Sequence, residues 1–159
     1  MPRLEWVPGP EPKRLTEDGA TQIIELFLAE TGEIYSDVSI RHLPIPAWDA
    51  NLILIDLDQP SPQPIQGVLW ATPFKDTIVR VAAFVICETH QSKGLGNIAW
   101  ERFRQIASES GYHEVQLEVK ANNTGAQRFY KLRGLTVRQE LVGYYQSGLG
   151  YMMRGPLNP

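Results

Sequence analysis

The sequence predicts an α/β protein of the α+β kind, with a mixed, mostly antiparallel sheet and helices on both faces. Two apolar stripes at helical spacing fall near residues 16–30 and 94–110. Between them, Ile78–Cys87 is almost wholly apolar apart from Arg80, as suits a central strand covered on both faces. The element order also breaks the βαβ rhythm, because three meandering strands separate the two helices.

Each element has its own signal. Leu4–Val7 reads as a short strand closed by Pro8-Gly9-Pro10. Thr16 is placed to cap a helix over Thr16–Glu30, with Glu17 and Asp18 complementing the first-turn dipole. Its stripe is Ala20, Ile23, Ile24, Phe27 and Leu28, and Thr31-Gly32 ends it. Glu33–Ala50, with His42, Pro44, Pro46 and Trp48, shows no clean period and reads as a long connection or binding loop.

Leu52–Leu57 and Gly67–Ala71 read as antiparallel partners across the hinge Pro60–Pro64, and Lys75-Asp76 turns the chain into Ile78–Cys87. In the second long helix Leu95, Ile98, Ala99, Phe103, Ile106 and Ala107 form the apolar face, with Gly111 at its C-terminal end. Glu114–Lys120 alternates strictly, as a half-buried strand does. A short helix over Asn123–Arg133 ends at Gly134, and Thr136–Tyr144 with Tyr151–Arg154 reads as a closing hairpin around Gln146-Ser147-Gly148.

The 159 residues suit one domain spanning 1–159 with a substantial core. Apolar residues at 43% and charged residues at 21% are ordinary for a globular chain, which argues against disorder and against a coiled coil. A net charge of −3 gives no general attraction to phosphate backbones, so nucleic acid is not an expected partner. Cys87 is the one cysteine, so no intramolecular disulfide can form. No signal-length or membrane-length apolar run occurs, and a cytoplasmic protein without a membrane partner is expected.

Gln91-Ser92-Lys93-Gly94-Leu95-Gly96 joins the central apolar strand to the second long helix. Gly94 and Gly96 permit close ligand approach or unusual backbone angles. The N–H groups at the helix start suit a phosphate or pyrophosphate, and Lys93 adds a charge. A strand-to-helix turn with glycines for geometry alone is the plain alternative. A P-loop fails, since Lys93 precedes Gly94 and no hydroxyl follows Gly96. A dinucleotide fingerprint is met formally by Gly94-Leu95-Gly96-Asn97-Ile98-Ala99, with Glu114 and Glu118 as ribose candidates. The spacer Cys87–Lys93 and the short remaining chain count against it.

The loop resembles the coenzyme A loop of the GCN5-related N-acetyltransferases (GNAT), Gln/Arg-x-x-Gly-x-Gly/Ala. Downstream, Asn123-Thr124-Gly125-Ala126-Gln127-Arg128-Phe129-Tyr130 and Gly134-Leu135 are similar to that family's second signature, with Leu135 in place of Phe. The resemblance covers roughly residues 78–154, and the N-terminal half agrees in element order only.

The resemblance implies the family's fold, with splayed middle strands, and direct transfer of an acetyl group from acetyl-CoA (coenzyme A) to a primary amine. It implies cofactor contacts at Ile86, Cys87, Glu88, Gln91, Ser92, Lys93, Gly94, Leu95, Gly96, Asn97, Asn123, Ala126, Phe129 and Tyr130. Tyr130 matches the general acid that protonates the leaving thiolate, while Phe129 is read as core and Asn123 equally as a helix cap. Arg80 stands where some members carry a glutamate base, so Glu88 and His90 are the base candidates, acting through water. Cys87 reads as a small buried apolar residue rather than a nucleophile.

Tyr144-Tyr145 and Tyr151-Met152-Met153-Arg154 are similar to the hairpin of members that acetylate protein N-termini. Acceptors are thus a small-molecule amine or a protein N-terminal amine, with no metal, and a homodimer is compatible with the sequence. A non-catalytic coenzyme A-binding regulatory domain is the alternative.

Overall fold

A computed structural model describes residues 2–145 and 148–159. Gln146 and Ser147, at the expected turn of the closing hairpin, lie outside the described residues. The elements are β1 (Leu4–Pro8), α1 (Glu17–Thr31), α2 (Asp37–Arg41), β2 (Leu52–Asp56), β3 (Ile65–Lys75) and β4 (Ile78–Ile86). They continue with α3 (Leu95–Glu109), β5 (Glu114–Lys120), α4 (Thr124–Leu132), β6 (Thr136–Tyr145) and β7 (Gly148–Pro156). The strands run in the order β1-β2-β3-β4-β5-β7-β6. Among the ladders described, β4–β5 is parallel and β1–β2, β2–β3, β5–β7 and β6–β7 are antiparallel, giving the expected mixed, mostly antiparallel sheet.

Two compact units are distinguished, Met1–Ala71 with Ala83–Ile106, and Thr72–Ala82 with Ala107–Pro159. In the first, the Thr16 hydroxyl accepts the Gly19 N–H at 3.0 Å and starts α1, and Gly32 at φ 74° ends it. The α1 stripe is rotated from the expected one: Leu26 is buried and Leu28 is exposed, because the buried face runs through Gly19, Ala20, Ile23, Leu26 and Phe27. A similar shift occurs on α3, where Trp100 is buried and Ile98 exposed. Aromatic contacts explain the α3 shift. Trp100 stacks on Phe84 with centroids 6.3 Å apart and meets Phe103 edge-on at 5.3 Å.

Trp6, fully buried, donates its indole N–H to the Leu95 carbonyl at 2.9 Å and so ties β1 to the first residue of α3. Arg102 donates to the Trp6 carbonyl from the same helix. Gly67 lets β3 pass Trp6 and the Val85 carbonyl, since an added Cβ would lie 3.0 and 3.1 Å from them. Each large side chain buried here stabilises the fold by roughly 1.5–3 kcal/mol.

The long connection is more ordered than expected. Ser36 and Ser39 form a reciprocal cap, each hydroxyl accepting the other's N–H at 3.0 and 2.8 Å, and this starts α2. A helix of five residues is too short to write a period into the sequence.

In the second unit, β4 pairs with β5 from Ile78–Glu114 to Val81–Leu117, and β5 pairs with β7 from Glu114–Pro156 to Lys120–Gly150. Val79, Val81, Val115, Leu117, Val119, Leu135, Met153 and Leu157 are among the buried apolar residues of this unit. The alternation in β5 sends Gln116 and Glu118 to the opposite face.

Candidate functional site

The loop of the first unit begins where β4 ends at Ile86. A single 3₁₀ turn, Glu88–His90, precedes Gln91–Gly94. Ser92 and Gly94 adopt left-handed angles, φ 62° and φ 78°. A Cβ on Gly94 would meet nothing within 4 Å, so it is the backbone conformation, not space, that calls for glycine there. The first hydrogen bond of α3 runs from the Ile98 N–H to the Gly94 carbonyl at 3.3 Å. The N–H groups of Leu95, Gly96 and Asn97 therefore precede the helical ladder and point outward from its positive end.

A carboxylate braces this loop. Glu30, near the end of α1, accepts the Glu88 N–H at 3.0 Å and the Gln91 side-chain amide at 3.1 Å. The same Gln91 amide donates to the Ile86 carbonyl at 2.7 Å, folding the loop back onto the strand end. Gln66 completes the brace: its carbonyl accepts the Cys87 N–H at 2.8 Å and its side-chain oxygen lies 3.1 Å from His90 Nε2. His90 Nδ1 is buried without a hydrogen-bond partner. Glu88 and Lys93 are exposed, and Cys87, half-buried, has Sγ 3.4 Å from the Thr89 hydroxyl. Neither Glu30 nor Gln66 was marked by any sequence pattern. Their role follows from long-range contact alone.

In the second unit, Asn123 caps α4 by accepting the Ala126 N–H at 3.1 Å. Gln127, buried, donates to the carbonyls of Lys120 and Ala121 at 3.2 and 2.9 Å and fastens α4 to the end of β5. The burial of the aromatic pair reverses the expected order. Tyr130 is 8% exposed, whereas Phe129 is only half-buried, under the Arg133 guanidinium 3.5 Å from its ring centroid. A cation over the ring face explains why Phe129 stays near the surface. Burial raises the pKa of the Tyr130 phenol far above its ordinary value, and the nearby Arg133 charge only partly opposes this.

The exposed face of the same unit carries a polar cluster. Arg80 on β4 pairs with Glu118 on β5 through Nε and Nη2, the Nε contact being 2.7 Å. Tyr144 on β6 donates to the same Glu118 oxygen at 3.2 Å. The Glu118 side chain is 10% exposed, and its other oxygen, Oε2, is buried without a hydrogen-bond partner. Burial lowers the Arg80 pKa, but the hydrogen bond and charge of Glu118, with Tyr144, outweigh it and raise the value overall. Burial also raises the Tyr144 pKa, reinforced by the Glu118 charge. Beside this cluster, Arg154 on β7 donates to the Gln116 side-chain oxygen through Nε and Nη2 at 3.1 and 2.6 Å.

Glu118, a ribose candidate under the dinucleotide fingerprint, is instead the partner of Arg80, a pairing that no local sequence pattern marks. The strict alternation of β5 was the signal that put Gln116 and Glu118 on one face. Among the described residues no group of three or more His, Cys, Asp or Glu side chains is arranged to hold a metal ion. Among them, too, no helix is long and apolar enough to cross a membrane.

Comparisons with known proteins agree with these features. No curated protein sequence matches the chain. Its fold is similar to that of Ard1 from Thermoplasma volcanium, with TM-score 0.78 and 20% identity over 96% of this chain and 97% of that one. It is similar to the ribosomal-protein-S18-alanine N-acetyltransferase from Escherichia coli, with TM-score 0.73 and 14% identity over 100% and 96%. It is also similar to Arabidopsis thaliana Naa50 in complex with the bisubstrate analogue CoA-Ac-MVNAL, with TM-score 0.71 and 16% identity over 95% and 97%. The model of the acetyltransferase (GNAT) family matches residues 20–135, a span that takes in the whole Gln91–Gly96 loop and Asn123–Tyr130, and the chain belongs to that family.

Proposed function

We propose that the protein transfers an acetyl group from acetyl-CoA to the N-terminal amine of a peptide or protein. The observation that carries the reading is the braced Gln91–Gly96 loop, whose left-handed Ser92 and Gly94 lead into the open N–H groups of α3. Those donors, with Lys93, suit a pyrophosphate. When bound, acetyl-CoA supplies an activated thioester. Ile86, Cys87 and Glu88 contribute strand-end backbone to the pantetheine, and Gln91–Asn97 hold the pyrophosphate. The family's second signature also implies cofactor contacts at Asn123, Ala126 and Phe129.

Tyr130 acts as the proton donor. The amine nitrogen forms a bond to the thioester carbonyl carbon as the carbon–sulfur bond breaks, and the departing sulfur takes the phenol's proton. Burial suits Tyr130 to this role because the phenol remains protonated well past neutral pH. The second proton is the one the acceptor ammonium must lose. We assign Glu118 as the base that takes this proton on its unpartnered Oε2 before attack, in preference to the exposed Glu88. The newly bonded nitrogen then releases its remaining extra proton, which restores the Tyr130 phenol through solvent. A peptide acceptor is supported by the Tyr144-Tyr145 hairpin, and by two fold neighbours named for an alanine N-acetyltransferase and for a complex with a peptide-bearing analogue.

Incubation with acetyl-CoA and a pool of peptides and small amines tests the reading by mass spectrometry and thiol release. Acetylated peptide with one thiol freed per acetyl group is expected. A higher melting temperature with acetyl-CoA but no amine consumed would leave a coenzyme A-binding regulatory domain instead. Stabilisation by NAD(H) alone would return the loop to dinucleotide binding.

A further inference from the structure

The chain as a whole carries a net charge of −3, yet the exposed face of β4, β5, β7 and β6 is cationic. Register places Arg80, Gln116 and Arg154 in one row across β4, β5 and β7, with Thr136 of β6 next to Arg154. Adjacent strands lie ~4.8 Å apart, so the two arginines flank the glutamine on either side. Arg138 donates to the Thr136 hydroxyl at 2.9 Å, and Lys120 lies 5.6 Å from the Tyr145 ring centroid. The carboxylates with the same strand parity are Glu118, already bound to Arg80, and Glu114, at the far end of β5 opposite Pro156.

Arg154 differs from Arg80 in one respect. Its guanidinium is half-buried and meets a neutral amide, Gln116, and among the described residues no ion pair engages it. Gln116 is itself 7% exposed, so it fixes the arginine without cancelling its charge. Diagonally across the ladder, ~7–8 Å away at the backbone, stands Glu118 with its unpartnered, buried Oε2. Glu118, with an oxygen that lacks a donor, and Arg154, without a carboxylate partner among the described residues, thus occupy diagonal positions on neighbouring strands of one face. This arrangement complements a ligand with an ammonium and a carboxylate a few bonds apart.

We propose that the face selects peptide acceptors with an acidic first residue: Glu118 receives the N-terminal ammonium, and Arg154 binds the carboxylate of an Asp or Glu side chain. The inference rests on the proposed peptide acetyltransferase reading and narrows its acceptor. Charge complementarity favours the acidic peptide, because a basic first residue would face Arg138 and Arg154, whereas the charge of Arg80 is already met by Glu118. With Nε and one N–H of Nη2 held by Gln116, Arg154 keeps Nη1 and the other N–H of Nη2 as an end-on pair for a carboxylate, a geometry that a neutral amide side chain does not match equally.

The test compares kcat/KM on peptides identical except for the first residue: Asp, Glu, Asn, Gln and Lys, with free aspartate and glutamate as further acceptors. The acidic peptides should exceed their amide counterparts by about 10-fold or more, as expected of a hydrogen bond to a charged group. Added salt should shrink that ratio. Arg154→Gln should bring it to about one and Arg154→Lys should retain part of it, while acetyl-CoA still raises the melting temperature of both variants. An equal or inverted ratio in the unmodified protein overturns the proposal, as does an acidic preference that survives Arg154→Gln. Acetylation of free acidic amino acids with peptides untouched overturns the peptide source. Failure of every acceptor, whatever its charge, refutes the transferase reading itself and is readily told apart from a missing preference.

Discussion

The glycine loop and the β4–β5–β7–β6 face hold their polar groups in opposite ways. In the loop, backbone conformation carries the function, and the nearby carboxylate, Glu30, is spent on bracing Glu88 and Gln91. On the sheet face, side chains carry the function, and two charged groups, Glu118 and Arg154, are held in place with bonding capacity left over. A loop that binds a constant cofactor gains from a conformation that never varies. A face that chooses among acceptors gains from charges that discriminate. The difference predicts that loop substitutions change the KM for acetyl-CoA, whereas face substitutions change the choice and the reaction of the amine.

Tyr130 should give the largest effect, and it belongs to neither region. Tyr130→Phe should lower kcat by about 100-fold with the affinity for acetyl-CoA largely kept, as the loss of a proton donor does. An unchanged kcat, with chemistry shown to limit the rate by the absence of a pre-steady-state burst, would remove it as the acid. On the face, Glu118→Gln should reduce kcat/KM for the peptide by about 10–100-fold, the range for a lost hydrogen bond to a charged group. Glu88→Gln should cost less than about threefold, in keeping with an exposed side chain. The reverse order would move the amine's partner to Glu88 and sharpen the contrast differently, by making the loop a participant in the chemistry.

How much of this was legible in the sequence follows the same division. The loop was legible because glycine spacing and a helix start are local properties, and Gly94 does take the left-handed angle that such spacing suggests. Most strands and long helices were legible for the same reason, although Trp100 and Leu26 rotated the buried stripes through tertiary packing. α2 escaped notice because a five-residue helix has no period. The face was illegible because Arg80 and Glu118 are 38 residues apart and meet only through the β4–β5 register. Glu30 and Gln91, 61 residues apart, were hidden in the same way.

On the loop side, Glu30→Ala should raise the KM for acetyl-CoA by up to about 30-fold while kcat moves less than about twofold, because two hydrogen bonds of ~1 kcal/mol each are lost without touching the reacting atoms. Isothermal titration with coenzyme A checks the affinity directly. An equal fall in kcat would mean that Glu30 also aligns the thioester, and the two regions would no longer divide cofactor from acceptor. Gly94→Ala forces a side chain into φ 78° and should cost about 1 kcal/mol of stability, with weaker cofactor binding, measured by denaturant unfolding with and without coenzyme A.

The smallest effect at neutral pH is the Tyr130 contribution to alkaline stability, and its sign follows from burial. An exposed tyrosine in the unfolded chain titrates near ~10. In the folded chain, burial raises the Tyr130 value well above that, so the folded state keeps the proton that the unfolded state releases. The stabilising contribution of the protonated phenol is therefore complete below about pH 10 and declines as pH rises from there through the folded value, with a slope approaching 1.4 kcal/mol per pH unit. Chemical denaturation between neutral and strongly alkaline pH should show this loss in the unmodified protein. Tyr130→Phe, with no proton to lose at that site, should show a shallower decline. Parallel curves would mean that Tyr130 ionises alike in both states, which would contradict its burial and with it the reason for choosing this phenol as the proton donor.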